Sequence, residues 1–161
     1  MKHLIALTVL ITLYSCNFKA KTELSVAEES SFEINTPDIE EDKVAILKVM
    51  KDQEIAWSKN DLEGFMKGYL KSNSLKFYGK SGLTKGWQQT LNTYKKGYPT
   101  KDHSGTLTFE IIDICPIENQ SYWVMGKYSL SRKVGDANGI FMVIFKKIAG
   151  EWKIVADMSC G

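Results

Sequence analysis

The chain has 161 residues, of which 43% are hydrophobic, 25% charged and 11% aromatic. These fractions are typical of one globular domain with some additional length, and they exclude a collagen-like, a fully disordered or a multi-span membrane protein. The formal net charge of +2 excludes the strong positive field of nucleic-acid-binding proteins, and three cysteines are too few for a disulfide scaffold.

Residues 1–15 have the pattern of a secretory signal. Lys2 precedes an apolar run over residues 4–13, which is too short to span a bilayer. Residues 13–16 (Leu-Tyr-Ser-Cys) resemble the bacterial lipoprotein box, with an aliphatic and then a small residue before the cysteine. The resemblance implies cleavage before Cys16 and acylation of that cysteine, which would hold the protein on a membrane of the cell envelope. The alternative is an ordinary secretory signal that is cleaved further on.

Residues 16–41 are predicted to be a flexible tether between Cys16 and a domain over residues 42–161. The stretch 17–41 contains two lysines and seven acidic residues, a net charge of −5, as is typical of a solvated spacer. A few apolar positions could instead pair with a sheet edge. They are Leu24, Val26, Phe32 and Ile34. The charges of the domain are scattered along its sequence, so no nucleic-acid partner is expected.

Two amphipathic helices are predicted to open the domain. Asp42 is expected to cap the first, with Val44 and Leu47 beside its buried stripe. The stripe consists of Ile46, Met50, Gln53 and Trp57. Asp61 is expected to cap the second helix after a break at Asn60. Its apolar face consists of Leu62, Phe65, Met66, Tyr69 and Leu70.

A short strand over residues 75–78, a turn over residues 79–82 and a third helix are predicted next. Thr84 is expected to cap this helix and Pro99 to end it. The residues of its core-facing stripe are Trp87, Leu91, Tyr94 and Tyr98.

From Gly105 onward the apolar residues recur with a period of two, which is typical of β-strands. The phase shifts within the first of these strands, which predicts a β-bulge near Ile111. Three more strands are predicted over residues 122–130, 140–145 and 152–158, separated by hairpin turns. Helices followed by a run of antiparallel strands define an α+β fold, with the helices packed on one face of a curved sheet.

Four separated segments are similar to the SnoaL-like branch of the nuclear transport factor 2-like superfamily. They follow one another in the family's order and spacing, and they are residues 53–65 (QEIAWSKNDLEGF), 81–87 (SGLTKGW), 107–109 (LTF) and 151–159 (EWKIVADMS). The resemblance implies a cone, in which a curved antiparallel sheet wraps around three helices and leaves an apolar pocket open at one end. The superfamily includes ketosteroid isomerase, polyketide cyclases, dehydratases and members that only bind or assemble, so the fold does not define the function.

Asp157 is the candidate catalytic residue. It is expected to alternate with Val155 on an inward face of the last strand, opposite Ile154 and Met158, where a carboxylate must be paired, hydrogen-bonded or shifted in pKa. The resemblance implies a general base, the role of acidic residues on the strand faces of the cone. Branch members commonly have His-Asp-His here, whereas this chain has alanine and methionine beside Asp157. The alternative is a structural carboxylate bonded to a helix end, a tyrosine or the Trp57 indole.

Aromatic residues and one amide on the core-facing stripes are candidates for the lining of a ligand pocket. They are Gln53, Trp57, Tyr69, Phe77, Trp87, Tyr94 and Tyr98. The alternative is that they belong to the packed core, with Gln53 bonded to the backbone. Trp57, Trp87 and Asp157 are expected to meet at one cavity, because the helix stripes must face the concave sheet.

The other reactive side chains do not form a site in the sequence. His103 is the single histidine outside the signal, and it lies in a polar segment where a solvated side chain is expected. Cys115 and Cys160 have no CxxC or CxxH neighbour, although they could pair in an oxidising compartment. No metal site and no cofactor are predicted.

Two functions from different classes are compatible with these residues. The first is a membrane-tethered domain that holds a small apolar ligand, or a partner, without turnover, because no acid–base set can be assembled. The second is an isomerase, dehydratase or cyclase-like enzyme. It would use Asp157 as the base, with Tyr69, Tyr94 or Tyr98 polarising a carbonyl group.

A homodimer is expected on separate grounds. Residues 140–145 are apolar on both faces of their strand, and the helices can cover only one of these faces. The other face is therefore predicted to pack against a second copy, as is common in the family.

Overall fold

The structure, a computed structural model, describes residues 39–118 and 120–161. The predicted signal, Cys16 and most of the predicted tether lie outside the described residues. The elements are α1 (Ile39–Ser58), α2 (Leu62–Phe65), a 3-10 turn (Met66–Gly68), β1 (Lys76–Gly79), β2 (Gly82–Lys85), α3 (Trp87–Gly97), α4 (Lys101–Ser104), β3 (Thr106–Ile117), β4 (Ser121–Ser131), β5 (Ala137–Ile148) and β6 (Glu151–Cys160). Within this part of the chain, no helix is both long enough and apolar enough to cross a bilayer.

The strands form one sheet in the order β2-β1-β6-β5-β4-β3, with the helices packed on one face. This arrangement confirms the predicted α+β class. The strands from β3 to β6 are antiparallel neighbours, but β1 runs parallel to β6, so the expectation of a wholly antiparallel sheet is wrong at this pair. The reason lies just before β1, where Tyr69 forms a parallel bridge with Ile154 and the Leu70 N–H donates to the Ile154 carbonyl at 2.9 Å.

The first helix buries the predicted stripe but begins earlier than predicted. Ile46, Met50, Gln53 and Trp57 are all buried. Because α1 starts at Ile39, Asp42 lies inside the helix and is not its cap. Asp42 is buried, and its Oδ1 accepts a hydrogen bond of 3.0 Å from Lys147 Nζ on β5. Val44 and Leu47 are exposed, so their expected place beside the buried stripe is wrong.

The second helix begins as predicted and ends early. The Gly64 N–H donates to Asp61 Oδ1 at 2.8 Å, which confirms Asp61 as the N-cap. Regular helical structure ends at Gly68, because Tyr69 has the extended backbone that its bridge to β6 requires.

The cap predicted for the third helix is wrong. Thr84 lies in β2, opposite Phe77 of β1, and Gly86 is the N-cap of α3. Gly86 has a φ of 86°, a left-handed value that glycine adopts freely and threonine does not.

Two irregularities bend the long strands. The register between β3 and β4 shifts between Ile111 and Asp113, which confirms the predicted bulge. The register between β5 and β6 also shifts, between Ile144 and Phe145, and this second bulge was not predicted. Bulges increase local twist and bend the strand, so they curve the sheet around the helices.

Candidate functional site

A cavity of about 400 Å³ is lined by residues of the helices and of the inner face of the sheet. Six of the seven side chains predicted to form a ligand pocket line it, namely Gln53, Trp57, Tyr69, Phe77, Tyr94 and Tyr98. Asp157 on β6 lines it as well. Small-molecule sites typically enclose about 300–1,000 Å³, so the cavity has the size of a ligand site.

Trp87 does not line this cavity, so its expected meeting with Trp57 and Asp157 is wrong. Its indole Nε1 donates to the Met66 carbonyl at 2.8 Å, and Lys71 Nζ lies 5.1 Å from its ring centroid. Trp87 is the first residue of α3, and that end of the helix packs against the turn after α2. Its role is therefore to fix the helix in place.

The Asp157 carboxyl group is buried and hydrogen-bonded through both oxygens. Oδ2 accepts a bond of 2.6 Å from the Tyr69 hydroxyl, and Oδ1 accepts one of 2.6 Å from Ser159 Oγ. Tyr94 also lines the cavity, and its ring and that of Tyr69 both pack against Phe65, with centroids 5.3 and 5.7 Å away. We call these four side chains, Tyr94, Tyr69, Asp157 and Ser159, the Asp157 network.

The second bulge determines which way Asp157 points. The register between β5 and β6 skips Val155, which is the extra residue of the bulge. Ile154 and Asp157 are therefore both buried although three positions separate them, and Met158 is exposed. The expectation that Asp157 lies opposite Ile154 is wrong, because simple alternation does not hold across a bulge.

Burial shapes the ionisation of the network. It raises the pKa of Asp157, and the hydrogen bonds from Ser159 and Tyr69 oppose this rise because they stabilise the carboxylate. Burial, and next the charge of Asp157, raise the pKa of Tyr69 and the pKa of Tyr94 well above the ordinary phenol value. Both phenols therefore stay protonated at neutral pH and can donate hydrogen bonds.

Trp57 organises the aromatic wall of the cavity. Its indole Nε1 donates to the Ser104 carbonyl at 2.9 Å, which fixes the ring between α1 and α4. The rings of Phe65, Tyr94 and Tyr98 meet it edge to face, with centroids 4.9, 5.5 and 4.5 Å away. Such contacts hold each ring in one orientation, so the wall has a defined shape.

Gln53 has a backbone partner, as predicted for the alternative that it belongs to the packed core. Its Nε2 donates to the Phe65 carbonyl at 3.2 Å, and the side chain lies against Gly68. A Cβ at Gly68 would come within 2.8 Å of the amide, so the glycine lets α1 approach the 3-10 turn closely. Gln53 thus positions the second helix while it lines the cavity.

Comparison with solved structures identifies the fold family. A structure from Shewanella oneidensis MR-1, described as an NTF-2 like protein of unknown function, has a TM-score of 0.70 and 34% sequence identity. The match covers 74% of this chain and 98% of that chain. The chain belongs to the nuclear transport factor 2-like superfamily. This result confirms the fold that the four sequence segments implied.

More distant solved structures share only the fold. A superfamily protein from Salmonella enterica serovar Typhimurium matches at 16% identity and a TM-score of 0.61, over 76% of this chain and 92% of that one. A ketosteroid isomerase-like protein from Erwinia carotovora atroseptica SCRI1043 matches at 12% identity and a TM-score of 0.58, over 73% and 93%. No model of a protein family and no curated protein matches the chain.

The cavity of this nuclear transport factor 2-like domain includes residues that sequence reasoning missed. Ser159 follows Asp157 by two positions, so alternation along the strand could have placed it on the same face. Tyr128, on β4, could have been found in the same way. Lys80 and Arg132 also line the cavity, but both lie in connections between strands, where no periodicity marks a side chain as inward.

The other reactive residues of the domain lie outside the cavity. His103 is half-buried on α4, with Nδ1 2.8 Å from Thr100 Oγ1. Cys115 and Cys160 are free thiols on β3 and β6, and two strands separate them.

A second depression, of about 440 Å³, lies where the start of α2 meets the end of α3. Its charged residues already have protein partners. Glu63 pairs with Lys95 at 2.7 Å, and the Asp61 carboxylate caps α2. We therefore place the candidate site in the cavity that contains Asp157.

Proposed function

We propose that the domain binds a small, largely apolar molecule in its cavity without turnover, and that a lipid on Cys16 tethers it to a membrane of the bacterial cell envelope. The Asp157 network, set in the wall of an aromatic cavity, carries the ligand-binding part of this proposal. An apolar pocket with a few fixed polar groups is the usual composition of a small-molecule site. The membrane part depends on the lipoprotein-like residues at the N-terminus.

The polar group nearest the ligand is proposed to be Tyr94. Tyr69 donates to the ionised Asp157, and the Tyr94 hydroxyl, which is proposed to face the ligand, can accept a bond from it. Because the Tyr94 phenol stays protonated, its hydroxyl can also donate to a carbonyl group of the ligand. The network therefore suits a ligand with one hydroxyl or carbonyl group on an apolar body.

The hydrogen bonds of the Asp157 carboxyl group favour binding without turnover over catalysis. Both oxygens of Asp157 already accept hydrogen bonds from the protein, so the carboxylate is held by Tyr69 and Ser159. The side chain of His103 lies outside the cavity and offers no second acid or base.

An isomerase-like enzyme is the second candidate. The raised pKa of Asp157 brings this carboxyl group closer to the range of a general base, and a neutral Tyr94 could polarise a ligand carbonyl. A neighbour described as ketosteroid isomerase-like shares the fold at 12% identity, which supports the fold alone.

Native mass spectrometry of the purified protein, followed by turnover assays on hydrophobic ketones, tests the proposal. We expect a co-purifying apolar molecule that denaturation releases, and no conversion of the ketones. Tyr94→Phe should weaken the binding of that molecule, while Tyr78→Phe, on an exposed side chain of β1 outside the cavity, should not. If the wild type converts a ketone and Asp157→Asn does not, the function of the domain is catalysis and not binding alone.

We further propose a SnoaL-like relationship within the superfamily and a homodimer through the sheet. The four similar sequence segments support the SnoaL-like relationship.

A row of apolar cross-strand neighbours supports the homodimer, since it runs unbroken across five strands. The row consists of Leu83, Tyr78, Met158, Met142 and Met125. Leu83, Tyr78 and Met158 are each about half exposed in the monomer, so a second copy of the chain is the proposed cover.

A further inference from the structure

The basic side chains that line the cavity outnumber the acidic ones. Three charged side chains line it, namely Lys80, Arg132 and Asp157. Asp157 has its hydrogen-bond partners within the network, whereas the two basic side chains form no ion pair with any residue that the structure describes. A cavity with mostly apolar walls thus contains two cations that form no ion pair with the described part of the chain.

Arg132 and Asp157 lie at opposite ends of the cavity. Asp157 pairs with Val143 of β5, while Ala137, at the start of β5, pairs with Leu130. Both Val143 and Ala137 line the cavity, and their six-residue separation corresponds to at most about 20 Å along the strand. Arg132 follows Leu130 by two positions, so it belongs to the end far from the carboxyl group.

The Arg132 side chain is held in place by the turn that follows β4. Its Nε donates to the Gly135 carbonyl at 2.7 Å, and its backbone N–H donates to Asp136 Oδ1 at 2.9 Å. Tyr128 is the cross-strand partner of Gly139, two positions from Ala137, so it lies at the same end of the cavity as Arg132. Arg132 and the Tyr128 hydroxyl therefore place several hydrogen-bond donors at one end of the cavity.

This arrangement matches a ligand with a different polar group at each end. A guanidinium binds a carboxylate through parallel charge-assisted hydrogen bonds, and such bonds are the strong ones in proteins. The other end has the Asp157 network with the neutral hydroxyl of Tyr94, which suits a hydroxyl or carbonyl group. On the basis of the ligand-binding function proposed above, we infer that the ligand is an elongated apolar carboxylic acid, with its carboxylate on Arg132 and a hydroxyl or carbonyl group at the Asp157 network.

Calorimetric titration with two sets of probes tests this inference. The first set is the ω-hydroxy fatty acids from ω-hydroxydecanoic to ω-hydroxyhexadecanoic acid, and the second is para-hydroxybiphenyl carboxylic acid, each compared with its methyl ester. The ester keeps the apolar body and the hydroxyl group but removes the negative charge. We expect the best-fitting acid to bind about tenfold or more tightly than its ester.

Variants of two neighbouring residues locate the effect. Arg132→Gln should lower the affinity for the acid about tenfold or more, to that of the ester, and should leave the ester unchanged. Arg132→Lys keeps the charge and should retain part of the preference for the acid. Lys133→Gln is the matched control, because Lys133 is exposed, pairs with Asp102 at 3.0 Å and lies outside the cavity. It should bind both probes as the wild type does.

Each other outcome contradicts a defined part of the inference. If acid and ester bind equally, the carboxylate assignment is wrong while ligand binding in the cavity stands. If Arg132→Gln weakens both probes equally, or if Lys133→Gln has the same effect, Arg132 does not recognise the charge. If neither set of probes binds, the inferred ligand class is wrong. The absence of any co-purifying molecule would then count against the proposed ligand-binding function itself.

Discussion

The Tyr69 hydroxyl donates a hydrogen bond of 2.6 Å to Asp157 Oδ2, and both side chains are buried. The backbone of Tyr69 also forms a parallel bridge with Ile154, three positions before Asp157 on the same strand. One short stretch of β6 therefore fixes both the backbone and the side chain of Tyr69. The carboxyl group is oriented by the fold itself, so the network is preformed before any ligand binds.

Removal of the Tyr69 hydroxyl should destabilise the fold. In Tyr69→Phe the buried Asp157 retains the bond from Ser159 but loses the one from Tyr69, and an unsatisfied buried acceptor costs about 1–3 kcal/mol. Urea unfolding monitored by fluorescence measures this loss. Tyr78→Phe is the control, because Tyr78 is 52% exposed in the single chain and phenylalanine keeps the apolar ring of the proposed interface, so its effect should stay within about 0.5 kcal/mol. Equal stability of the two variants would mean that the bond contributes nothing.

The raised pKa of Asp157 predicts a pH dependence with a defined sign. The folded protein holds this proton more tightly than the unfolded chain, so the contribution to stability is full below the unfolded pKa of about 3.9. It is lost as the pH rises through the higher pKa of the folded state. The free energy of unfolding of the wild type, minus that of Asp157→Asn, should therefore fall as the pH rises above about 4 and then level off. Asp113→Asn, on β3 outside the cavity, controls for the substitution itself, and a difference that grows with pH would contradict the assignment.

The sequence predicted the elements well where hydrophobic periodicity was long. The stripe of α1 and the strands from β3 to β6 were found because each repeats its period several times. The signals at element ends were less informative. Asp61 was correctly identified as a cap, but Thr84 was not a cap, because the left-handed backbone of Gly86 determines where α3 starts.

The site was less predictable than the fold because it depends on long-range geometry. Alternation cannot reveal that Val155 is skipped, since the bulge exists only in the pairing of β6 with β5. The predicted direction of the Asp157 side chain relative to Ile154 is therefore wrong, although the prediction that Asp157 lies on the inward face is correct. Trp87 has the same stripe position as true cavity residues, and only the packing of α3 on the Met66 carbonyl excludes it. Residues in connections, such as Arg132, have no periodic signal.

The proposed dimer predicts a change in mass with one substitution on the outer face of the sheet. Met158 lies in the exposed apolar row, so Met158→Glu should place an unpaired charge in the interface and produce a monomer. Light scattering at micromolar concentration measures the mass. Val44→Glu is the control, because Val44 is 66% exposed on α1, away from the sheet, and this variant should remain dimeric. A wild-type mass equal to one chain would contradict the dimer.

The proposed lipid anchor predicts that Cys16→Ala releases the protein from the membrane. Acylation requires the Cys16 thiol, and the buried methylenes of the lipid, at about 0.8 kcal/mol each, are the proposed source of membrane binding. Envelope fractionation and immunoblotting would measure the distribution. Cys160→Ala removes a thiol at the other end of the chain and should leave the protein in the membrane fraction. Retention of Cys16→Ala in that fraction would show that the lipoprotein interpretation is wrong.

Asp157→Asn separates the two proposed functions. Asparagine preserves the shape of the side chain and can still accept one bond, so a structural Asp157 predicts a loss of about 1–3 kcal/mol in stability without a specific loss of ligand affinity. A general base predicts that binding stays nearly intact while turnover falls about a hundredfold or more. Melting temperature, ligand affinity and turnover should be measured together on this variant and on Asp113→Asn. Since Asp157 is only 6% exposed and bonded through both oxygens, we expect the melting temperature to fall and the affinity to remain. If all three values match those of the wild type, the carboxyl group has neither role, and the inward orientation of Asp157 would be wrong.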